Sequence, residues 1–262
     1  MNFVSEYIKY LWKAKARHGI HSPFVYDFTD KCLTVEPDEN FRIKVKSLKK
    51  ELLRNRHILR MTDAGAGSRK LGKERSVRDV YKTAASAGVY ADLLYQLSHH
   101  YRPARILELG TSLGLGTIYL AAGNEQATVT SVDACTETLD QARQNIDKVH
   151  IRNINLVHNV FLDFLEEAGK EKFDLVFLDG HHEGNALKKY MELLKPITHE
   201  DTIFVLDDIR WSQDMFDAWE QLSASAEYHL SMDLFRMGIL VRRPSQQKEH
   251  FTIRLKNVLG GL

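Results

Sequence analysis

The chain has 262 residues, with 36 Lys and Arg against 35 Asp and Glu, a formal net charge of +1 and 44% hydrophobic residues. This composition excludes disordered and fibrous proteins and indicates a globular chain with a sizeable core. Two cysteines, Cys32 and Cys135, are too few for a disulfide framework, so the reducing cytoplasm is the expected compartment. No run approaches the roughly 18 apolar residues of a membrane span, and no membrane partner is expected.

The near-zero net charge conceals an uneven distribution. Residues 41–82 contain 14 basic and 4 acidic residues, a net charge of +10, so the rest of the chain carries −9. A charge run of this kind is most often the solvated face of a helix. Its length also leaves open an electropositive surface for an anionic substrate or a nucleic acid.

Helical spacing dominates the first hundred residues. Apolar residues recur at helical intervals from Phe3 to Leu11, and Ser22-Pro23 is typical of a helix start. A further helix is predicted from Asn40 through about residue 62. The glycine-rich stretch 63–68 interrupts the pattern as a loop, and a helix from about Val77 to His100 follows.

From Arg105 onward, strand and helix patterns alternate. The predicted strands are Arg105–Leu109, Thr128–Val132, Asn155–His158, Phe173–Leu178, Thr202–Leu206, Tyr228–Leu234 and Met237–Val241. The first five alternate with helices, which implies a parallel sheet with helices on both faces, and the short link before the last favours an antiparallel pair. We therefore expect an α/β fold: a Rossmann-like, doubly wound, seven-stranded sheet, mostly parallel with an antiparallel last strand, over residues 103–262. Residues 1–102 are expected to form an α-helical N-terminal extension.

A glycine-rich turn follows the first predicted strand. Gly110 and Gly114 allow the chain to turn tightly and a ligand to approach the backbone. Asp133 ends the next strand, about where a ribose-binding carboxylate is expected. Glu108 and Asp133 are otherwise ordinary acids at strand ends, but their place beside the turn favours nucleotide binding. Short-chain dehydrogenases share the glycine spacing but need a Tyr-x3-Lys pair, which this chain lacks.

The stretch Glu-Leu-Gly-Thr-Ser-Leu-Gly at 108–114 resembles the first motif of the class I S-adenosylmethionine-dependent methyltransferases, and most of all their catechol O-methyltransferase-like branch. The resemblance covers about residues 104–242. It implies S-adenosylmethionine as cofactor, with the methionine end against residues 108–112, the ribose on Asp133 and the adenine near residues 159–161. The cofactor-binding set that it implies is Glu108, Gly110, Thr111, Ser112, Gly114, Asp133, Ala134, Val160, Phe161 and Asp179.

Carboxylates also end the fourth and fifth predicted strands: Asp179 follows the fourth, and Asp207 and Asp208 follow the fifth. Because the carboxyl ends of parallel strands meet at one edge, these acids should lie together and repel one another unless a cation or protons intervene. Carboxylate oxygens suit Mg²⁺, Mn²⁺ or Ca²⁺.

The resemblance implies a divalent metal on this set of Asp179, Asp207 and Asp208, although catechol-type enzymes carry Asn at the position of Asp208. It also implies that Asp179 is catalytic, and it puts His182 where those enzymes have a basic residue. A neutral imidazole near pH 7 can accept a hydroxyl proton. The plainer alternative is that His182 begins the next helix and faces solvent.

Three functions stay open at this point. The first is a methyltransferase acting on an oxygen of a small-molecule substrate, with or without a divalent metal. The second is an RNA or nucleotide methyltransferase that uses residues 41–82; its binding would fall steeply with salt, but a base-methylating Asn-Pro-Pro-Tyr-type motif is absent after the fourth strand. The third is a non-catalytic cofactor-binding module.

Three further stretches resemble a group of bacterial methyltransferases of poorly known substrate: residues 17–26, the loop 63–68 and residues 211–212. The loop 63–68 itself is interpreted as a mobile, basic lid over the cofactor cleft, with a plain surface loop as the alternative. The resemblance supports the activity without defining the acceptor. The oligomeric state stays open, a homodimer included.

Overall fold

The described part of the first hundred residues forms a layer of helices with a β-hairpin. The computed structural model describes residues 3–14, 21–63, 70–84 and 88–255. The elements of this layer are α1 (Phe3–Lys13), α2 (Pro23–Cys32), α3 (Glu39–Leu52), β1 (Ile58–Asp63), β2 (Lys70–Ser76), α4 (Val77–Ala84) and α5 (Val89–Tyr101). Strands β1 and β2 pair in antiparallel fashion.

The hairpin and a break between helices correct the prediction of a purely helical extension. Residues 58–63 form a strand rather than the end of a helix, because Leu59 is buried while its two neighbours are exposed, an alternation with the period of a strand. The helix predicted from Val77 to His100 is two helices, since the backbone turns at Gly88 with a φ of 58°. Residues 64–68 of the predicted loop and lid lie outside the described residues.

From Arg105 onward, strands and helices alternate as predicted. The elements are β3 (Arg105–Leu109), α6 (Leu115–Gly123), β4 (Thr128–Asp133), α7 (Thr136–Val149), β5 (Ile154–His158), α8 (Phe161–Glu167), β6 (Phe173–Leu178), α9 (Gly184–Leu193), β7 (Thr198–Leu206), α10 (Gln213–Ala224), β8 (Leu230–Leu234), β9 (Met237–Val241) and β10 (Glu249–Thr252). Strands β3, β6 and β9 begin and end at the predicted residues. None of the helices in the described ranges is long and apolar enough to cross a membrane.

These strands form one sheet in the order β10-β8-β9-β7-β6-β3-β4-β5. The five strands from β7 to β5 run parallel, and β9 runs antiparallel between β7 and β8. The predicted doubly wound, Rossmann-like fold is therefore confirmed. The sheet has eight strands rather than seven, because β10 pairs in parallel with β8. Its four residues include Glu249 and His250 and are too few and too polar to stand out as a strand in the sequence.

Successive side chains of the central strands face opposite layers of helices, as the period of a strand requires. On one face, Ile106, Phe177 and Ile239 pack into a core with residues of the N-terminal layer such as Leu94. On the other face, the neighbouring residues of the same strands pack against α9 and α10: Leu107, Val176 and Leu240 with Tyr190, Met191 and Trp219. Helices cover both faces, so the ligand-binding position is left to the edge of the sheet.

Two tyrosine hydroxyls attach the N-terminal layer to the sheet. Tyr90 in α5 donates a hydrogen bond of 2.9 Å to the carbonyl of Leu234, at the end of β8. Tyr10 in α1 donates to the carbonyl of Ile253 and accepts from the N–H of Leu255 over 3.3 Å. The helices are thus anchored to the strand ends, while the predicted domain boundary at residues 102–103 stays a prediction.

Gly238 in β9 gives a test of this packing. A Cβ at this position would lie 2.4 Å from Cζ3 of Trp219, whose side chain is buried. Gly238→Ala should therefore overpack the core and lower the free energy of unfolding by about 1–3 kcal/mol. The matched control is Gly169→Ala, because a Cβ there would meet nothing within 4 Å. Urea unfolding measures both variants, and equal midpoints would contradict the close approach.

Candidate active site

The carboxyl ends of the central strands are held together beyond the strands themselves. The N–H groups of Asp179 and Asp207 donate to the carbonyls of Leu109 and Leu178, each over 2.9 Å. The hydrogen-bond ladder thus continues to the first residue after each strand. The predicted cofactor turn and the predicted acids consequently share one edge of the sheet, the edge at which ligands bind in folds of this class.

Gly110 makes the turn that follows β3. Its φ of 114° strains any residue with a side chain, and a Cβ at this position would lie 2.0 Å from the carbonyl oxygen of Asp179. Only glycine meets both conditions. The chain can therefore cross directly over the end of β6 before it enters α6.

Asp133 is held in a fixed orientation at the end of β4. Its Oδ2 accepts a hydrogen bond of 2.8 Å from the N–H of Ser112, and its Oδ1 accepts one of 2.9 Å from the N–H of Cys135. Burial raises the pKa of Asp133, and these backbone N–H groups oppose the shift. A carboxylate has about four acceptor positions, so the oxygens of Asp133 can also accept from the hydroxyls of a ribose.

The other predicted cofactor residues lie around the same edge. Ala134 follows Asp133 and is partly buried, and Thr111 is buried within the turn. Val160 and Phe161 stand at the start of α8 and are partly buried. Their contact with a cofactor stays a prediction.

Glu108 is an exception, because its carboxyl lies inside the domain rather than on the surface of the cleft. The side chain is 1% exposed, and its Oε2 accepts hydrogen bonds from the hydroxyls of Thr117 in α6 and Ser131 in β4. Burial raises the pKa of Glu108 to about 8, although the two hydroxyls lower it. The geometry therefore favours support of the turn from below over the predicted contact with the cofactor.

The three predicted metal-binding acids come together, but not as one ligand set. Both oxygens of Asp207 bind the guanidinium of Arg236: Oδ1 lies 3.0 Å from Nε and Oδ2 lies 2.8 Å from Nη2. Within the described residues, the acid and histidine atoms with metal-ligand spacing belong to Asp179, His182 and Asp208, all within 4.8 Å of one another. Compared with the predicted set, this group lacks Asp207 and gains His182.

Arg236 is the site residue that the sequence reasoning missed. It lies in the two-residue link between β8 and β9, and its Nε is also 3.0 Å from Oδ1 of Asp208. Because β8 runs parallel to β7, this link returns to the edge where the acids lie. The sequence did carry a signal for Arg236. It is a basic residue directly after a predicted strand, and the end of that strand must lie at the same edge as the acids.

The charges of the cluster depend strongly on its burial. Burial and the neighbouring Asp207 and Asp208 raise the pKa of Asp179 well above its ordinary value. Burial and Asp207 likewise raise the pKa of Asp208. Burial alone would lower the pKa of Arg236, but the carboxylates raise it instead, so the guanidinium stays charged.

His182 lies beside these acids and not on a solvated helix face. Its Nε2 is 3.7 Å from Oδ2 of Asp208, and its ring centroid is 5.3 Å from that of Trp211. Trp211 is 64% exposed, so this side of the cluster faces outward. Burial lowers the pKa of His182, which keeps the imidazole neutral at pH 7 and able to accept a proton. A catalytic role for His182 stays a prediction.

The basic segment 41–82 reaches this edge through its hairpin. The N–H of Arg60 in β1 donates to Oε2 of Glu137 over 2.6 Å, and the Sγ of Cys135 lies 3.6 Å from the carbonyl oxygen of Arg60. The hairpin thus packs beside the residues that follow Asp133. It forms part of the wall on the predicted cofactor side.

The helical part of the basic segment is largely solvated. Lys44, Lys46 and Lys50 of α3 are exposed, and Arg42 forms an ion pair with Glu36. This arrangement favours the interpretation of a solvated helix face. A nucleic-acid partner stays a prediction.

Comparison with known proteins agrees with this geometry. Residues 107–209, which contain the turn, Asp133 and the acid cluster, match the family model of a methyltransferase domain. A catechol O-methyltransferase of Mycobacterium tuberculosis is 29% identical over 107 residues, which are 40% of this chain and 48% of that protein. The match therefore spans about half the length of this curated relative.

Solved structures share the fold of the chain. The O-methyltransferase of Bacillus cereus in complex with SAH has a TM-score of 0.54 at 19% identity and covers 83% of this chain and 96% of its own. The O-methyltransferase TomG of Streptomyces achromogenes in complex with SAM has a TM-score of 0.56 at 18% identity, with coverages of 83% and 94%. The predicted resemblance to the class I methyltransferases, in their catechol O-methyltransferase-like branch, is confirmed by these comparisons.

Replacing Glu108 with Gln should remove a pH dependence of stability. A carboxyl whose pKa rises from 4.5 in the unfolded chain to about 8 in the fold contributes stability that is fully present below pH 4.5. That contribution is lost as the pH rises through 8. Relative to Glu108→Gln, the wild type should lose at most about 5 kcal/mol over this interval, at about 1.4 kcal/mol per pKa unit.

Urea unfolding at several pH values between 4.5 and 8 measures this difference. Glu125→Gln is the control, because Glu125 is exposed near the end of α6 and should leave the pH profile of the wild type unchanged. A profile of Glu108→Gln that parallels the wild type would show that the buried carboxyl does not titrate in this range.

Proposed function

We propose that the protein is an S-adenosylmethionine-dependent methyltransferase that methylates an oxygen atom of a small molecule. The proposal depends on one juxtaposition. The Gly110 turn and Asp133 end two strands of the sheet, and the three acids with His182 follow the next two strands along the same edge. The first pair suits a nucleoside cofactor, and the second group suits a hydroxyl that must lose a proton. The O-methyltransferases described above support both parts.

The residues around Asp133 fit the cofactor by the chemistry of their donors and acceptors. Asp133 would hold the ribose hydroxyls, because the N–H groups of Ser112 and Cys135 fix its carboxylate and leave acceptor positions free. The turn from Gly110 to Ser112 would lie against the methionine end. When bound, the cofactor supplies a methyl group on a positively charged sulfur.

His182 would take the proton of the attacking hydroxyl. Its lowered pKa keeps the imidazole neutral and ready to accept a proton at pH 7. The Asp208 carboxyl lies 3.7 Å from Nε2 and favours the positive charge that His182 acquires. Trp211 borders the ring of His182 on the side that faces outward. The chain thereby aligns the reactants and removes a proton, which is most of what such a transfer requires.

The predicted set of three carboxylates does not fit a divalent metal in this site, because Arg236 occupies both oxygens of Asp207. The alternative set of Asp179, His182 and Asp208 has suitable spacing, but it would use the proposed base as a ligand. We therefore assign no step to a metal.

The proposed location is the cytoplasm. Cys32 and Cys135 are free thiols and both are buried, which suits a reducing compartment. The proposed partner is a small-molecule acceptor, and a homodimer stays a prediction.

Asp133→Asn should weaken the binding of S-adenosylmethionine by about tenfold or more, because one acceptor oxygen becomes a donor amide beside two backbone N–H groups. Isothermal titration calorimetry measures the dissociation constant. Asp140→Asn is the control, since Asp140 is an exposed residue of the following helix. No binding by the wild type would refute the proposed cofactor, and equal affinity of all three proteins would refute the role of Asp133.

His182→Gln should lower kcat by about a hundredfold or more while leaving cofactor affinity unchanged, because it removes the base without altering the ribose site. Transfer of a radiolabelled methyl group to a panel of phenols and catechols measures kcat. His99→Gln, at an exposed position of α5, is the control. A variant as active as the wild type would exclude His182 as the base. Cofactor binding by the wild type without transfer to any acceptor of the panel would favour the non-catalytic module.

A further inference from the structure

We propose that Arg236 is the fixed counter-ion of the acid cluster and supplies the positive charge for which the sequence predicts a divalent metal. In this role Arg236 is a positioning residue: it orients Asp208, which in turn lies beside the proposed base His182. The inference rests on the proposed function in one respect, since the base acts only if the site transfers a methyl group. The pairing of Arg236 with the carboxylates of Asp207 and Asp208 does not depend on that activity.

The guanidinium of Arg236 contacts the carboxylates of both Asp207 and Asp208. Its Nε and Nη2 bind the two oxygens of Asp207 at 3.0 and 2.8 Å, and Nε is also 3.0 Å from Oδ1 of Asp208. A planar fork of this kind matches a carboxylate in two places at once, which a lysine ammonium does not. Asp207 has no exposed side-chain surface, and the guanidinium partners both of its oxygens, which offsets the cost of burying a carboxylate.

The backbone of Arg236 is fixed from two sides. Its carbonyl accepts a hydrogen bond of 2.9 Å from the N–H of Ile209, which belongs to the chain just after the acids. Its N–H donates to the hydroxyl of Tyr90 over 3.3 Å, and the Tyr90 ring centroid lies 5.9 Å from the guanidinium carbon. The cation is therefore built into the fold, where a metal would have to be acquired from solution.

The pairing leaves one side of Asp208 for the base. Oδ1 of Asp208 faces Arg236, while Oδ2 lies 3.7 Å from Nε2 of His182. The backbone of Asp208 has a φ of 50°, and its N–H donates to Oδ1 of Asp207 over 2.8 Å. Arg236, Asp207 and Asp208 thus form one hydrogen-bonded unit that places a carboxyl next to the imidazole.

Removing the guanidinium should convert the cluster into a metal site. Arg236→Gln would leave Asp179, Asp207 and Asp208 without their counter-ion, so the variant should bind one Mn²⁺ at least about tenfold more tightly than the wild type. Electron paramagnetic resonance of free Mn²⁺ measures this affinity with the metal alone and needs no acceptor. Arg236→Lys, which keeps the charge but not the fork, should bind Mn²⁺ as weakly as the wild type.

Arg210→Gln is the matched control for loss of a buried ion pair. Arg210 binds both oxygens of Asp233, at 2.7 and 2.6 Å, and both side chains are 7% exposed. Arg210 also donates to the carbonyl of Phe235, next to Arg236 in the same link, over 2.6 Å. Its loss disturbs that link without removing the guanidinium of Arg236, so Mn²⁺ affinity should stay unchanged. Equal Mn²⁺ affinities of Arg236→Gln, Arg210→Gln and the wild type would overturn the proposal.

If Arg236→Gln does not fold, the wild type and Asp208→Asn still test the proposal. A single saturable Mn²⁺ site in the wild type that disappears in Asp208→Asn would overturn it, because the cluster would then prefer a metal despite Arg236. Mn²⁺ binding that is the same in the wild type and Asp208→Asn would support it. Calorimetry of S-adenosylmethionine on the same proteins separates this outcome from failure of the proposed function, which would appear as no cofactor binding.

Discussion

A partly buried arginine between two consecutive carboxylates is the interaction on which the active edge of this protein depends. A parallel sheet brings the ends of its strands together, and here it brings Asp179, Asp207 and Asp208 into a space with little water. Unpaired charges in such a position are costly, and loss of one partner from a buried ion pair is worth about 3–5 kcal/mol. Arg236, in the link between β8 and β9, offsets that cost because its guanidinium pairs with both oxygens of Asp207. The last strands of the sheet therefore have a chemical role as well as a structural one.

The edge divides into two halves with different chemistry. On one side, the Gly110 turn lets a ligand approach the backbone and Asp133 offers hydrogen-bond acceptors, which suit a nucleoside. On the other side, the acids, Arg236 and His182 form a charged group in which the imidazole is the neutral member at pH 7. The N-terminal layer touches both halves: the hairpin packs next to Cys135, and α5 holds the link that carries Arg236. This layer is thus part of the site's framework.

Regular features of the fold could be predicted from the sequence, because buried parallel strands are continuous apolar runs between helices. Strands β3 and β6 were predicted to the residue for that reason. The hairpin was missed because its strands are rich in charged residues, with alternation limited to single positions such as Leu59. Strand β10 was missed because four residues with three polar side chains carry almost no periodicity.

The site residues that directly follow strands could be predicted from the sequence, because the carboxyl ends of parallel strands meet at the edge where ligands bind. Asp133 and the three acids fall at strand ends, and the structure brings them to one edge. The pairing of Asp207 with Arg236 was not predictable, since it joins residues 29 positions apart and depends on which strand lies next to β7. The burial of Glu108 was missed for a related reason: its partners Thr117 and Ser131 belong to two other elements.

One measurement tests both the cofactor site and the role of Arg236. It is a crystal structure with bound S-adenosylhomocysteine, grown in Mn²⁺ and measured at the manganese absorption edge. We expect the ribose on Asp133, the guanidinium of Arg236 on Asp207 and Asp208, and no anomalous peak among the acids. A manganese ion bound to Asp207 with Arg236 displaced, or a ribose that does not contact Asp133, would contradict this expectation.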